Sequence, residues 1–516
     1  MGTDPDLAEG VREALAVDAD AFADRAAAEA EVVKQALNDG AFDNHQSIVG
    51  FEYEFYAVAD GRWSEESRAS EYALMRVPRR LLELMGFEKE LGLHNAEMCT
   101  SPQPFSDHGL RAQLAEVRAR LEAAEHCARV EGMRLVSDGL WTIPPAGETA
   151  RAYLTDSVEV DGVVVAANMS NAVRYHAMAN TATGGGGRSV TLEAPGVSLS
   201  ADTVMPESLI TSVQPHYQAA QAASLPLHFR YALRIAGPLL ALGVNSPFFP
   251  PDLYADDWDG ERVLAEGAHE NRIHVFESVL NARTDDDKVR FPRDFHDVEE
   301  AVDRIAGDET IVPMPDPGGE DRFDDAFATF RTKHGTYWRW VRPVFEGASR
   351  SSANARIEFR PIPAQPTIRD SIAFQAAFAG LMEALPRHEH PVLGLDWTVA
   401  RDNFYRAVAD GLDADLEWIG HDGECTHDTA AIYDDLLDHA AAGLRTAGCS
   451  ASAAESWLAP LRWRVENRLT PADWKRNRVR SRLAAGESFA DAVYGTQREY
   501  IDRQAETLIE GGFSDW

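Results

Sequence analysis

A chain of 516 residues with 45% apolar side chains can bury a substantial core, as one large domain or several ordinary ones. Its 84 Asp and Glu against 49 Lys and Arg leave a net charge of −35, and only Lys34, Lys89, Lys288, Lys333 and Lys475 are lysines. Such an acidic surface fits a cytoplasmic protein adapted to high salt, where a Debye length of about 3 Å silences self-repulsion, and it excludes nucleic acid and anionic membrane as partners, since both need a basic footprint.

The opening MGTDPDLAEG lacks the pattern of a signal peptide, and no apolar run is long enough to predict a membrane span. Residues 1–40, rich in Ala and Glu with Leu15, Phe22 and Val33 in helical surroundings, predict a peripheral helical lead-in. The stretch 48–57, IVGFEYEFYA, reads as a strand bounded by turn signals. Alternation gives it an apolar face of Phe51, Tyr53 and Phe55 and an opposite face of Glu52, Glu54 and Tyr56. Carboxylates two residues apart on one side of a strand sit roughly 7 Å apart. No Lys or Arg of the strand offsets their repulsion, so they suit Mg²⁺ bridging to nucleotide phosphates, although paired carboxylates on a solvated edge are also common.

An extended segment carrying Glu97 follows and ends at Pro102 and Pro104. Ser106 and Asp107 then cap a helix with a core stripe of Leu110, Leu114, Val117, Leu121 and Ala128. MRLVSDGLW is a further strand candidate, and residues 150–205 dissolve into polar and Gly-rich sequence. Gly184 to Gly187 lack the GK[ST] ending of a phosphate loop and read as a linker or lid hinge, with Arg174 and Arg188 beside them as anion contacts. TSVQPHYQ predicts a strand presenting Gln214 and His216 on one face, and an apolar helix after it stops at Asn245, Ser246 and Pro247. Residues 285–325, dense in Asp, Glu, Pro and Gly, read as an exposed insertion. In NARIEFRPIPAQPT, alternation sends Ile357 and Phe359 to the core and Arg356, Glu358 and Arg360 to the other face. Core-like residues 368–385 predict another helix, the RHEH at 387–390 beside Pro391 reads as an exposed loop, and several helices fill the chain beyond 400. Cys99, Cys127, Cys425 and Cys449 form no CxxC pair, which argues against a structural zinc site or a disulfide scaffold.

FEYEF, LHNAEMCTSP, TSVQPHYQ, LALGVNSPF, NARTD and ARIEFRPIPAQPT occur in the order and approximate spacing of glutamate-cysteine ligases and related carboxylate-amine ligases. RYHAM at 174–178 resembles a further segment of the type-2 branch, and the likeness spans roughly residues 45–410. The resemblance implies an α+β, glutamine-synthetase-like fold, a curved and mostly antiparallel sheet forming a funnel with helices outside. On it, residues 41–400 would be the catalytic domain and 401–516 a helical part packed on it. It also implies ATP, Mg²⁺ and a γ-glutamyl phosphate attacked by the amine of cysteine. Carried over by position, Glu52, Glu54, Glu97, His216 and Glu358 are the metal-binding set, Arg360 lies near the phosphates and joins Glu54 in catalysis, and Thr100, Arg283, Gln214 and Arg174 meet the substrates. Pro215, the Gly-rich segment and the acidic stretch depart from the family pattern.

Bottom-up chemistry points the same way. A carboxylate is a poor electrophile, so joining it to an amine begins with phosphorylation, and phosphoryl transfer is mainly positioning and charge neutralisation. Such a reaction needs no nucleophilic side chain, and none is evident. Two other readings stay open on sequence: a divalent-metal hydrolase using the same glutamates without ATP, and a catalytically silent nucleotide-binding relative. The amine acceptor and the oligomeric state have no sequence signature.

Overall fold

Ile48–Ala59 forms the 12-residue strand β1, the hub of an eight-stranded sheet. The other strands are β2 (Glu88–Lys89), β3 (Asn95–Cys99), β4 (Gln103–Pro104), β5 (Met133–Val136), β6 (Val213–Gln218), β7 (Val341–Glu346) and β8 (Asn354–Phe359). The order is β7-β8-β6-β1-β3-β2, with β4 and β5 also on β1, and every pairing is antiparallel. The sheet curls into a half-barrel, the curved antiparallel architecture that the resemblance implies. The computed structural model describes residues 5–62, 70–181, 189–282, 287–316, 318–319 and 321–516; Gly184 to Gly187, Arg188 and Arg283 lie outside these.

The period-two pattern of β1 decides which side chains meet solvent. Phe51, Tyr53 and Phe55 are at most 1% exposed, whereas Glu52 and Glu54 are only partly buried. Tyr56, expected beside the glutamates, is instead covered, its hydroxyl lying between Asp138 and Gln497 of the helix Phe489–Thr507. On the apolar face, the helix Ile368–Arg387 packs against β6 and Asp107–Val130 against β5. Ser106 caps the latter, accepting from the Gly109 N–H at 3.1 Å. C-terminal helices close over the same end of β1. Lys475 pairs with the buried Asp138, Gln497 donates to Asp138 Oδ2 at 2.9 Å, and Gln504 accepts from the Ser137 N–H at 3.0 Å. One hydrophobic cluster runs from Leu7 to Ile501. No described helix is long and apolar enough to cross a membrane.

Several local expectations change. Residues 285–325 are not an exposed insertion. Val289, Phe291 and Phe295 are buried, and the helix Val298–Ala306 inserts Ala301, Val302 and Ile305 into the core. The charged residues that suggested exposure occupy the other side of that helix, and Lys288 is buried against Asp308. RHEH is exposed as expected at Arg387, His388 and Glu389, but not at its last residue. Glu389 takes a left-handed backbone (φ 47°), reversing the chain after the helix, and His390 is turned inward to 1% exposure. Residues 150–205 hold two hairpins, Ser157–Val160 with Val163–Ala166 and Val190–Ala194 with Val197–Ala201, and the helix Val173–Asn180. The lead-in consists of the helices Pro5–Leu15 and Ala19–Asn38, and the second packs on Val298–Ala306 and Ala328–His334.

Candidate active site

Sheet register brings the sequence-selected carboxylates to one place. Glu54 stands opposite Glu97 across β1 and β3, Glu52 opposite Gln214 of β6, and His216 opposite Glu358 of β8. His216 Nε2 lies 3.3 Å from Glu52 Oε1 and 4.0 Å from Glu358 Oε2. Glu54 is fixed at both oxygens, by the Ser212 N–H at 2.6 Å and by Gln214 Nε2 at 2.8 Å. The carbonyl end of Gln214 accepts from Arg360 at 2.8 Å, and Arg360 also donates to Glu358. Gln214 thus links the two halves of the site and has both ends engaged.

Two cavities meet here. One of about 250 Å³ is lined by Glu52, Glu54, Glu90, Glu97, Glu207, Asn95, Arg174, Gln214, Arg272, Arg342 and Arg360 among others. The second, of about 710 Å³, has Thr100, His216, Arg331, Glu346 and Arg356 on its walls. Glu52, Glu88 and Cys99 line both and form the partition. Thr100 faces only the larger, with its hydroxyl accepting from Gln113 at 3.2 Å. Arg174 reaches the Gly335 carbonyl at 3.4 Å and stacks on Tyr175.

Charge in the smaller cavity is unbalanced. Burial, reinforced by Glu358, raises the Glu52 carboxyl to about 8. Burial with Glu90 raises Glu54 to about 7, burial with Glu90 and Glu54 raises Glu207 to about 8, and burial with Glu52, Glu90 and Glu54 drives Glu97 well above the usual range. Glu358 behaves oppositely. Burial acts to raise it, yet Arg342, Arg360 and His216 hold it well below the carboxylate range. Arg342 makes this pairing bidentate, at 2.8 and 3.0 Å.

The donor set suits a hard divalent cation. Oxygen or nitrogen atoms of Glu52, His216 and Glu358 lie within 4.8 Å of one another. Burial lowers His216 to about 3, so the ring is neutral, and its Nε2 is buried with no hydrogen-bond partner. Arg356 donates to Nδ1 at 3.1 Å, so coordination through Nε2 requires the ring proton to move to Nδ1 and Arg356 to turn away. The group of Glu52, Glu97 and Cys99 is equally close, but burial and then Glu97 raise the thiol, which stays protonated and is a poor ligand.

Sequence reasoning did not find Glu90, Glu207, Arg272 or Arg342. Glu90 leaves β2, Glu207 sits in the short helix Met205–Leu209, and Arg272 opens Asn271–Asn281 with Nη2 on the Arg360 carbonyl at 3.0 Å. The only local signal was the pair Glu88 and Glu90 just before LGLHNAE. Arg283 falls in residues not described.

Residues 48–507 match the family described as glutamate-cysteine ligase family 2. No curated protein matches the sequence. Among solved structures, the chain is similar to the glutamate–cysteine ligase of Francisella tularensis in complex with AMP, at 12% identity and a TM-score of 0.47, covering 91% of each chain. It is also similar to a bifunctional glutathione synthetase from Pasteurella multocida, at 12% identity and a TM-score of 0.48, covering 93% of this chain and 55% of that one. Likeness to the ligase PafA, in complex with the ubiquitin-like protein Pup, is weaker, at 10% identity and a TM-score of 0.39 over 87% and 71% of the two chains.

Proposed function

Because the chain belongs to glutamate-cysteine ligase family 2 and is an ATP-dependent carboxylate–amine ligase, we propose that it activates the γ-carboxylate of L-glutamate as an acyl phosphate and joins it to the amine of L-cysteine. The observation that carries this reading is the cluster around Glu52, which faces both cavities: Glu54, Glu97 and Arg360 line the smaller one beside it, His216 lies between Glu52 and Glu358, and Glu358 pairs with Arg360. A ligase must bring a nucleotide and an amino acid to the same atom from different sides. The larger cavity, with Arg356 and His216, suits the nucleotide. The smaller offers Arg174 and Arg272 to an α-carboxylate and Glu90 and Glu207 to an ammonium group.

Mg²⁺, when bound, supplies charge neutralisation between the phosphates and the substrate carboxylate. Glu52, His216 and Glu358 would hold it on the nucleotide side, and Glu54 and Glu97 on the amino-acid side. Arg360, held by Gln214 and Glu358, would offset charge developing on the transferred phosphoryl group. Gln214 keeps Arg360 and Glu54 in register during transfer. The amine then attacks the acyl carbon, the C–O bond to phosphate breaks, and phosphate leaves with the carboxylate oxygen. A net charge of −35 supports operation in a salt-rich cytoplasm.

Incubation of γ-carboxyl ¹⁸O-glutamate, cysteine and Mg-ATP tests the mechanism and product together. Labelled phosphate should appear in step with γ-glutamylcysteine and ADP. Label released with another amine but not with cysteine would reject the acceptor and keep the chemistry, whereas product and ADP with unlabelled phosphate would reject the acyl phosphate.

A further inference from the structure

The RHEH segment belongs to a second cluster that the ligase chemistry does not use. His390 Nε2 lies 3.0 Å from Asp435 Oδ2, His421 Nδ1 lies 3.0 Å from Asp435 Oδ1, and His439 Nδ1 lies 3.4 Å from the same oxygen. The His439 ring is 4.4 Å from that of His390, 5.6 Å from His388 and 6.2 Å from His421. These side chains come from three places: the turn after Ile368–Arg387, the turn after the short strand Trp418–Ile419, and the helix Thr429–Thr446. Asp435 and His439, one helical turn apart, share a face of that helix. None of these residues lines either cavity of the active site.

We propose that His390, Asp435 and His439, with His421 on the open side, bind a late first-row divalent cation such as Zn²⁺. Three observations carry this. A single carboxylate that already accepts the Trp418 indole N–H at 2.7 Å needs no company of three imidazoles for its own hydrogen bonding. Ligand atoms of His390, Asp435 and His439, one from each, also lie within 4.8 Å of one another, close enough for small ring and carboxylate rotations to bring them to the roughly 3.3 Å spacing that bonds of about 2.0–2.1 Å to a tetrahedral ion require. Finally, the donor set is imidazole-rich, which selects Zn²⁺, Co²⁺, Ni²⁺ or Cu²⁺ over Mg²⁺. Burial keeps His439 on the neutral side, and its Nδ1 donates to the Asp435 carbonyl at 2.8 Å, which orients the ring and leaves Nε2 with a lone pair. Coordination through His390 Nε2 moves the single proton of that neutral ring from Nε2, where it faces Asp435, to Nδ1, which gives up its contact with the Val392 N–H. The bound ion would staple the strand turn and the helix to the end of Ile368–Arg387.

Full-length protein, stripped with chelator and held in molar KCl with excess Mg²⁺ to fill the carboxylate cluster, is titrated with Co²⁺ and then Zn²⁺. One equivalent of Co²⁺ should give the visible absorption of a four-coordinate ion, bleached by Zn²⁺. In His439→Gln the band should vanish or its midpoint move by more than about tenfold, since loss even of an outer partner weakens metal sites by that much. His421 is 73% exposed, so His421→Gln should weaken Co²⁺ binding with the circular dichroism and Mg-ATP turnover of the wild type. An unchanged midpoint in folded His439→Gln overturns the proposal. Should that variant not fold, an unchanged midpoint in His421→Gln does so, as does the absence of a Co²⁺ band in the wild type.

Discussion

Arg342→Met isolates the electrostatic logic of the site. Glu358 is 2% exposed and keeps its charge because Arg342 grips both of its oxygens, with Arg360 beside it. Removing one partner of a buried pair costs about 3–5 kcal/mol; because Arg360 remains, the loss should fall near the lower end, about 3 kcal/mol, in urea denaturation at molar KCl with chelator present. Magnesium should then act unequally. At a hundredfold excess over its dissociation constant a ligand stabilises the fold by about 2.7 kcal/mol. In the variant, Glu358 is released from a competing cation, so Mg²⁺ should bind more tightly, and a tenfold gain would add about 1.4 kcal/mol. Turnover should nonetheless fall, since Arg342 also keeps Glu358 aligned with Arg360. A loss below 1 kcal/mol in chelator would refute the ion-pair argument. Equal stabilisation of both proteins by Mg²⁺ would remove Glu358 from the cation site.

Glu54→Gln retains side-chain volume but removes one charge from the cluster, so turnover should drop by at least about 10²-fold while circular dichroism is unchanged; wild-type kcat would exclude Glu54 from the chemistry. Burial raises the Glu277 carboxyl to about 7, and its Oε1 accepts from Trp340 and Tyr405. The folded state therefore holds this proton more tightly than the unfolded one, and the associated stability is full below about pH 4.5 and lost as pH rises through 7, up to about 3 kcal/mol. Glu277→Gln keeps both hydrogen bonds through its carbonyl oxygen and should flatten that slope; a slope identical to wild type would place the titration elsewhere. With a net charge of −35, the unfolding temperature should fall as KCl is lowered from molar to millimolar, because repulsion then extends over about 30 Å at 0.01 M; a flat profile contradicts adaptation to salt.

What was legible in the sequence was whatever repeats with the period of a strand or helix. FEYEF announced both faces of β1, RIEFR those of β8, and the stripe from Leu110 to Ala128 one helix. Glu52, Glu54, Glu97 and Glu358 could be chosen because each lies on a strand beside apolar neighbours. Arg342 could not be, since its only significance is to face Glu358 across a register that no local pattern encodes. Glu90 and Glu207 hang from a strand end and a short helix, where charged residues are ordinarily solvated. Composition misled at 285–325, where acidic residues outnumber the few apolar ones that reach the core. At 387–390 the exposed turn was legible but the inward side chain of His390 was not, because one left-handed residue, Glu389, reverses the chain just before it.

The position of β1 as hub sets a schedule for synthesis. Its hydrogen-bonding partners arrive at residues 95–104, 133–136 and 213–218, and the strand that delivers Glu358 is not made until residue 354. At roughly 5–20 residues per second, an emerging chain carries β1 with its β6 edge unpaired for about 8–30 seconds, and the half-built sheet without β8 for about as long again. Aromatic side chains and bare backbone groups on such an edge invite pairing with a neighbouring nascent chain, so this protein should depend on holding chaperones while on the ribosome.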